Sequence, residues 1–259
     1  MLEFDQIKEQ YPKHLQVFER AILREYLQCK ILQAIFESNQ ASKLSFLGGT
    51  ALRLFYDNQR FSEDIDLDNF GLTWDEFNGV VKKVERFLSL EGFEVEVREI
   101  KKAAYHLYLK FPKLLYQEGL SPFRDEKVLI QVDTVAQGYD YEPEIKILNK
   151  FDVFSEIRVT PISLLLSQKI YCAVNRIRPK GRDFYDITFL FARTKPDFDY
   201  LYKKMGVNSS GQIKAFVNEK ISHYDFDNLA EDVAPFLINR KEILRVKKFK
   251  EFWAQVDLG

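Results

Sequence analysis

Cysteine is almost absent from this chain. Its 259 residues include two, Cys29 and Cys172, and they form no C-x-x-C pair. That excludes a disulfide framework and a cysteine-rich zinc site, and it fits a reducing compartment. Histidine is nearly as scarce. His14, His106 and His223 make no H-x-x-x-H pair and no evident triad, so each reads as a surface or half-buried imidazole rather than a metal ligand. Neither sign of charge dominates: 38 Lys+Arg stand against 39 Asp+Glu. A chain so balanced does not coat nucleic acid by bulk charge, and any such contact uses a local patch. No long apolar run exists either. The most apolar stretch, residues 162–174, is broken by Gln168 and Lys169 and is far short of the roughly 20 residues a membrane span needs. The opening MLEFDQIKEQYPK is charged throughout and reads as no signal peptide. A cytoplasmic protein with no membrane contact is expected.

What is present is ordinary globular composition, 46% hydrophobic and 30% charged, with 23 Phe and 13 Tyr to fill a large core. Residues 14–37 carry Leu15, Phe18, Ile22, Tyr26, Leu27 and Ile31 at a helical period. A short strand over residues 44–47 runs into Gly48-Gly49, and Thr50 is placed to cap the helix that follows. Residues 64–68 alternate carboxylate and aliphatic, the period of a strand. Thr73, with Glu76 three residues on, predicts a capped helix ending before Gly92. Strands are expected over 93–97, 105–111 and 128–133, alternating so that one sheet face is packed and the other partly open. Beyond Pro161 the period is helical, with breaks near Pro179-Lys-Gly181, Pro196, Gly206 and Pro235. The expected fold class is α+β: residues 1–160 form a mixed sheet with flanking helices, and residues 161–259 form a helical domain that completes a cleft.

The chemistry concentrates in Phe46-Leu-Gly-Gly-Thr-Ala-Leu52 and Arg60-Phe-Ser-Glu-Asp-Ile-Asp-Leu67. Paired glycines between strand and helix let the backbone approach a ligand, and the helix start offers free N–H groups to phosphate. Gly-Gly also closes many ordinary turns. Asp64 and Asp66, two apart on a strand, share a face, while Ile65 and Leu67 face a core. Adjacent carboxylates repel unless a cation lies between them, and Mg²⁺ suits such oxygen ligands. A solvated edge strand is the plainer account of D-x-D alone. Asp133, opposite the apolar face of Val128, Ile130 and Val132, supplies a third carboxylate for a metal trio.

A second block joins Lys169, Arg176 and Arg182-Asp183-Phe-Tyr-Asp186. Lys169 and Arg176 lie one face-repeat apart on a helix, and a lysine or a forked arginine can hold phosphate. Asp183 and Asp186 share a face on the next helix, where either can orient Lys169, Arg182 or a nucleotide base. An amphipathic helix with surface ion pairs fits the same pattern. The cations Arg176, Arg178, Lys180 and Arg182 read either as a nucleic-acid contact or as a solvated turn.

Gly48-Gly49 with Arg60-x-Ser62-x-Asp64-x-Asp66 resembles the signature of the nucleotidyltransferase superfamily. With the second block, the chain more narrowly resembles the AbiEii/AbiGii toxin family of bacterial abortive-infection toxin–antitoxin pairs. The matches run from about residue 46 to residue 191. The resemblance implies a nucleotidyltransferase-like fold and transfer of a nucleoside monophosphate from an NTP to an acceptor, with tRNA or another RNA as a candidate. It also implies growth arrest and a cognate antitoxin encoded nearby. By that resemblance Asp64, Asp66 and Asp133 hold Mg²⁺. Gly48, Gly49, Thr50, Arg60, Ser62, Arg182 and Asp186 contact the nucleotide. Lys169 and Asp183 join the catalytic set, Asp183 being the first choice for the family's C-terminal carboxylate. On this reading Lys169→Ala costs little stability. A non-catalytic binding module and a metal-dependent nuclease are the rival readings. Retention of both aspartates beside the glycines disfavours the first, and the triphosphate cradle disfavours the second.

Overall fold

In the computed structural model, which describes residues 1–259, the periodic N-terminal segment forms α1 (Phe4–Glu9) and α2 (Glu19–Phe36). α2 is buried on nearly every side, so its charged residues need partners to be tolerated. Glu25 accepts from Tyr11 Oη at 2.6 Å, lies 2.8 Å from Arg53 Nε and also receives Lys150 Nζ. Lys30 Nζ sits 2.8 Å from both Glu91 and Asp152.

The chain then alternates through β1 (Leu44–Leu47), α3 (Gly48–Phe55), β2 (Ile65–Asn69), α4 (Trp74–Leu90), β3 (Glu96–Lys101), β4 (Tyr105–Phe111) and α5 (Leu114–Gln117). Next come β5 (Val128–Val135), β6 (Glu144–Lys150) and β7 (Val153–Val159). Only helices follow: α6 (Ile162–Asn175), α7 (Gly181–Phe191), α8 (Phe198–Met205), α9 (Ser210–Ile221), α10 (Phe226–Val233), α11 (Leu244–Lys247) and α12 (Phe249–Gln255), with short 3₁₀ turns between. The α+β class, with a mixed sheet preceding a helical half, is what the alternation and the later helical period led one to expect.

Two compact units are present. The first comprises Met1–Asp57, Phe61–Gly138 and Pro143–Val159; the second comprises Asn58–Arg60, Tyr139–Glu142 and Thr160–Gly259. All seven strands lie in the first unit, in one sheet ordered β3-β4-β5-β2-β1-β7-β6. β2 runs parallel to β5 and β1 parallel to β7; the other neighbours are antiparallel. Paired residues put Phe46, Leu67, Val132 and Leu107 on one face, all buried. α2 and α4 cover that face, through Tyr26 against Phe93, which in turn meets Phe111, and through Phe77 against Tyr105. Its burial is the main source of stability in this unit, at roughly 25 cal/mol per Å² of apolar surface. In the second unit Phe226, Phe249 and Trp253 stack and Phe184 meets Phe226 and Phe249 edge-on, forming a helical core.

Three local expectations change. Thr50 does not cap α3, because the helix begins two residues earlier and Thr50 sits inside its first turn. The strand expected over 93–97 pairs only from Glu96 on, where β4 offers Lys110 as partner. The β6–β7 hairpin was not anticipated, since its turn contains no glycine. Phe151 itself takes the left-handed φ of 58°, fixed by the Tyr26 ring 5.3 Å away and by Gln10 Oε1, which accepts from its N–H at 3.1 Å. Thr73 caps α4 with Glu76 in a reciprocal box, as its spacing predicts.

Candidate active site

The sheet face opposite α2 and α4 carries the acidic residues. Register aligns Leu47 of β1 with Asp66 of β2, Asp66 with Asp133 of β5, and Asp133 with His106 of β4. Directly paired residues point to the same side, so Asp66, Asp133 and His106 form a row across three strands. Asp64 immediately precedes β2, and its backbone carbonyl accepts the Thr50 hydroxyl, which ties the start of β2 to the first turn of α3. Thr50 is buried and Ser62 half-buried; the Ser62 carbonyl accepts from Gln28 Nε2 at 3.1 Å. Asp68, next in the alternation, is buried and accepts from the Gln137 N–H at 2.8 Å, anchoring the chain after β5.

Gly48 is the pivot. Its φ is +81°, and a Cβ there would lie 2.0 Å from Asp66 Oδ2 and 2.9 Å from Asp66 Cβ. Only glycine both adopts that backbone and leaves room for the Asp66 carboxylate against the β1–α3 junction. Gly49 is buried in the first turn of α3. This places a carboxylate beside the opening N–H groups of a helix.

On Asp133, Oδ1 lies 2.7 Å from His106 Nδ1 and 2.7 Å from Gln131 Nε2. No three acidic, histidine or cysteine side chains converge into a protein-only metal cage. Asp64, Asp66 and Asp133 therefore form no closed three-ligand cage of their own. The donor chemistry still fits Mg²⁺, which is commonly held by one or two carboxylates with water and substrate phosphate completing its octahedron.

The second unit gathers the remaining residues of interest into a buried ionic cluster. Arg60, 1% exposed, grips fully buried Asp186 in a fork, Nε to Oδ1 at 2.7 Å and Nη2 to Oδ2 at 2.6 Å. Asn58 Nδ2 adds a bond to Oδ1 at 2.8 Å. Lys169 Nζ lies 2.9 Å from Asp186 Oδ2 and 3.0 Å from Asp183 Oδ1. Arg176 Nε stands 2.9 Å from Asp183 Oδ2 as an ion pair off the hydrogen-bond line. Burial alone would push the Asp186 carboxyl up; Arg60 and Lys169 outweigh it and hold that carboxyl well below the usual carboxylate range. Burial likewise opposes the Lys169 ammonium, but Asp186 and Asp183 raise its pKa above the ordinary lysine value. Three cations thus surround two carboxylates, and they tie α6 to α7 and to the Asn58–Arg60 segment. Arg182, in the first turn of α7, is half-exposed.

The comparisons with known proteins bear on both units. The family model described as nucleotidyl transferase AbiEii toxin, type IV toxin–antitoxin system, matches residues 30–251. The chain belongs to this family of nucleotidyl transferases. Two solved structures share its fold. JHP933 from Helicobacter pylori superposes with a TM-score of 0.56 at 16% identity, over 91% of this chain and 92% of that one. A candidate nucleotidyltransferase from H. pylori does so with a TM-score of 0.58 at 17% identity, over 91% of this chain and 95% of that one. Curated protein sequences include no match. Membership in a type IV toxin family implies an antitoxin partner, and no helix is long and apolar enough to cross a membrane. Within the AbiEii frame, His106, expected as a surface or half-buried imidazole, is half-buried; what sequence reasoning missed is its contact, and that of Gln131, with Asp133. The strands carrying these residues were both anticipated, and their antiparallel register alone would have set His106 opposite Asp133.

Proposed function

We propose that this AbiEii-family chain transfers a nucleoside monophosphate from an NTP to a hydroxyl of an RNA acceptor, with tRNA the first candidate, releasing pyrophosphate and arresting growth. The observation that carries the reading is the β1–α3 junction. There Gly48, at φ +81°, leaves space for Asp66, with Asp133 in register beside it. Backbone N–H groups at the start of α3, around Gly48 and Gly49, bind triphosphate oxygens, as helix starts favour anions. Asp64 and Asp66 hold Mg²⁺, with Asp133 adding a ligand or receiving the acceptor hydroxyl. Bound there, the cation would supply neutralisation of the charge developing on the phosphates. Thr50, whose hydroxyl is committed to the Asp64 carbonyl, sets the spacing between the glycine turn and the carboxylates. Arg60 acts by bracing Asp186 rather than by meeting phosphate, since its guanidinium is buried and already forked on a carboxylate.

The test is incubation of the purified chain with each α-labelled NTP, Mg²⁺ and total RNA. Label gained by RNA supports transfer. RNA shortened without label indicates a nuclease, and no change indicates a binding module; either result overturns the reading.

A further inference from the structure

The Asp133 carboxylate is not fixed by packing. Its side chain is 28% exposed and that of His106 is 21% exposed. What fixes it is a pair of donors on a single oxygen: His106 Nδ1 from β4 and Gln131 Nε2 from two residues earlier on β5, each 2.7 Å from Oδ1. A carboxylate only accepts, so the imidazole proton in this contact is on Nδ1. With Oδ1 doubly engaged, Oδ2 is the oxygen that remains for a cation or an acceptor hydroxyl, in the row shared with Asp66. Both donors come from strands whose register is set by the buried face below, through Leu107 with Val132 and Leu109 with Ile130. The clamp therefore inherits the rigidity of the sheet. It also differs from the pairing in the second unit: Gln131 donates without charge, and His106 needs only its Nδ1–H. Asp133 is oriented without being neutralised by a lysine or arginine.

We infer that His106 and Gln131 are positioning residues that lock Asp133 by Oδ1 and present Oδ2 to the reacting groups. This inference rests on the nucleotidyl-transfer reading of the Asp66 face. Removing an outer hydrogen-bond partner of a ligand carboxylate typically costs about 10–100-fold in affinity or activity. A half-exposed pair of this kind contributes little to folding. His106→Ala and Gln131→Ala should each lower NTP-dependent labelling within that range while melting close to wild type. His106→Asn should recover most of the loss, since its amide N–H can replace the Nδ1 donor, and an added imidazole function would not be restored.

An independent readout is the ¹⁵N spectrum of the His106 ring. We expect the proton on Nδ1 in the wild-type chain and a shift toward the Nε2-protonated form in Asp133→Ala. A wild-type proton on Nε2, full activity in His106→Ala, or His106→Asn no better than His106→Ala would each overturn the inference. If the wild-type chain labels no acceptor but the ring carries its proton on Nδ1 and loses it with Asp133→Ala, the clamp stands and the transfer reading fails. Labelling by wild type that is unaffected in both alanine variants leaves transfer standing and sinks the clamp.

Discussion

Lys169→Ala separates a catalytic cation from a structural one, and the buried cluster sets its cost. Lys169, 9% exposed, lies within 3.0 Å of two carboxylates that are themselves fully buried. At an effective dielectric of about 20, each such contact is worth about 5 kcal/mol of Coulomb attraction before desolvation is subtracted. Removing one partner of a buried pair while leaving the other typically costs about 3–5 kcal/mol. The lower end applies here. Asp186 keeps its fork with Arg60 and its bond from Asn58, and Asp183 keeps Arg176, whose side chain is 43% exposed. A loss of about 3 kcal/mol lowers the melting temperature by about 6–12 °C for a chain of this size. This reverses the expectation from sequence that Lys169→Ala would be nearly neutral for stability. Scanning calorimetry or thermal circular dichroism reads the shift, with labelling assayed well below both transitions. Lys169→Met with Asp183→Asn should regain part of the lost stability, because one stranded anion is removed with the cation. A melting temperature within 2 °C of wild type for Lys169→Ala, against the roughly 6 °C minimum expected, would refute the structural role.

Gly48→Ala should abolish labelling and also cost about 1–3 kcal/mol, because φ +81° is strained for alanine and the new Cβ displaces Asp66; paired activity and denaturation measurements check both. Gly181→Ala should destabilise without touching the acidic face, since its Cβ would meet the Leu229 carbonyl at 1.7 Å where α7 crosses α10; a urea midpoint equal to wild type contradicts this. Asp64→Asn should remove Mg²⁺-dependent transfer, and relieve growth arrest in cells, while leaving the fold intact; full activity of the purified variant removes the metal site from the account. For pH, the carboxyl of Asp186 is depressed in the fold, so its contribution to stability is present above the unfolded value of about 4 and is lost as pH falls through the lower folded value. The acid limb of the stability curve should therefore be shallower in Asp186→Asn than in wild type.

Much of this arrangement was legible in the sequence because it is periodic or local. The Leu44–Leu47 strand, the Thr73–Glu76 box and the Tyr105–Phe111 strand follow from alternation and capping chemistry that act over a few residues. The strand period also predicts Asp64 and Asp66 on one face; the strand itself begins at Ile65 and carries Asp66. What stayed hidden depends on partners distant in sequence. Arg60 lies four residues before Asp64 yet pairs with Asp186, because Asn58–Arg60 leaves the sheet unit and bridges to Leu237. Nothing between residues 58 and 60 encodes that excursion. His106 looked ordinary because a lone imidazole on a strand acquires meaning only once β4 and β5 are aligned. The Phe151 turn lacked a glycine signal because ring packing, rather than backbone freedom, holds its left-handed φ.

The central claim is that the Asp66 face moves a nucleoside monophosphate. Its most direct measurement runs parallel reactions with α-labelled and γ-labelled NTP on the wild-type chain and on Asp66→Asn, with released pyrophosphate counted against label gained. The account predicts α-label in RNA, γ-label only in pyrophosphate, one pyrophosphate per label, and none of these with Asp66→Asn. Label from the γ-position in the acceptor, or transfer undiminished in Asp66→Asn, would contradict it.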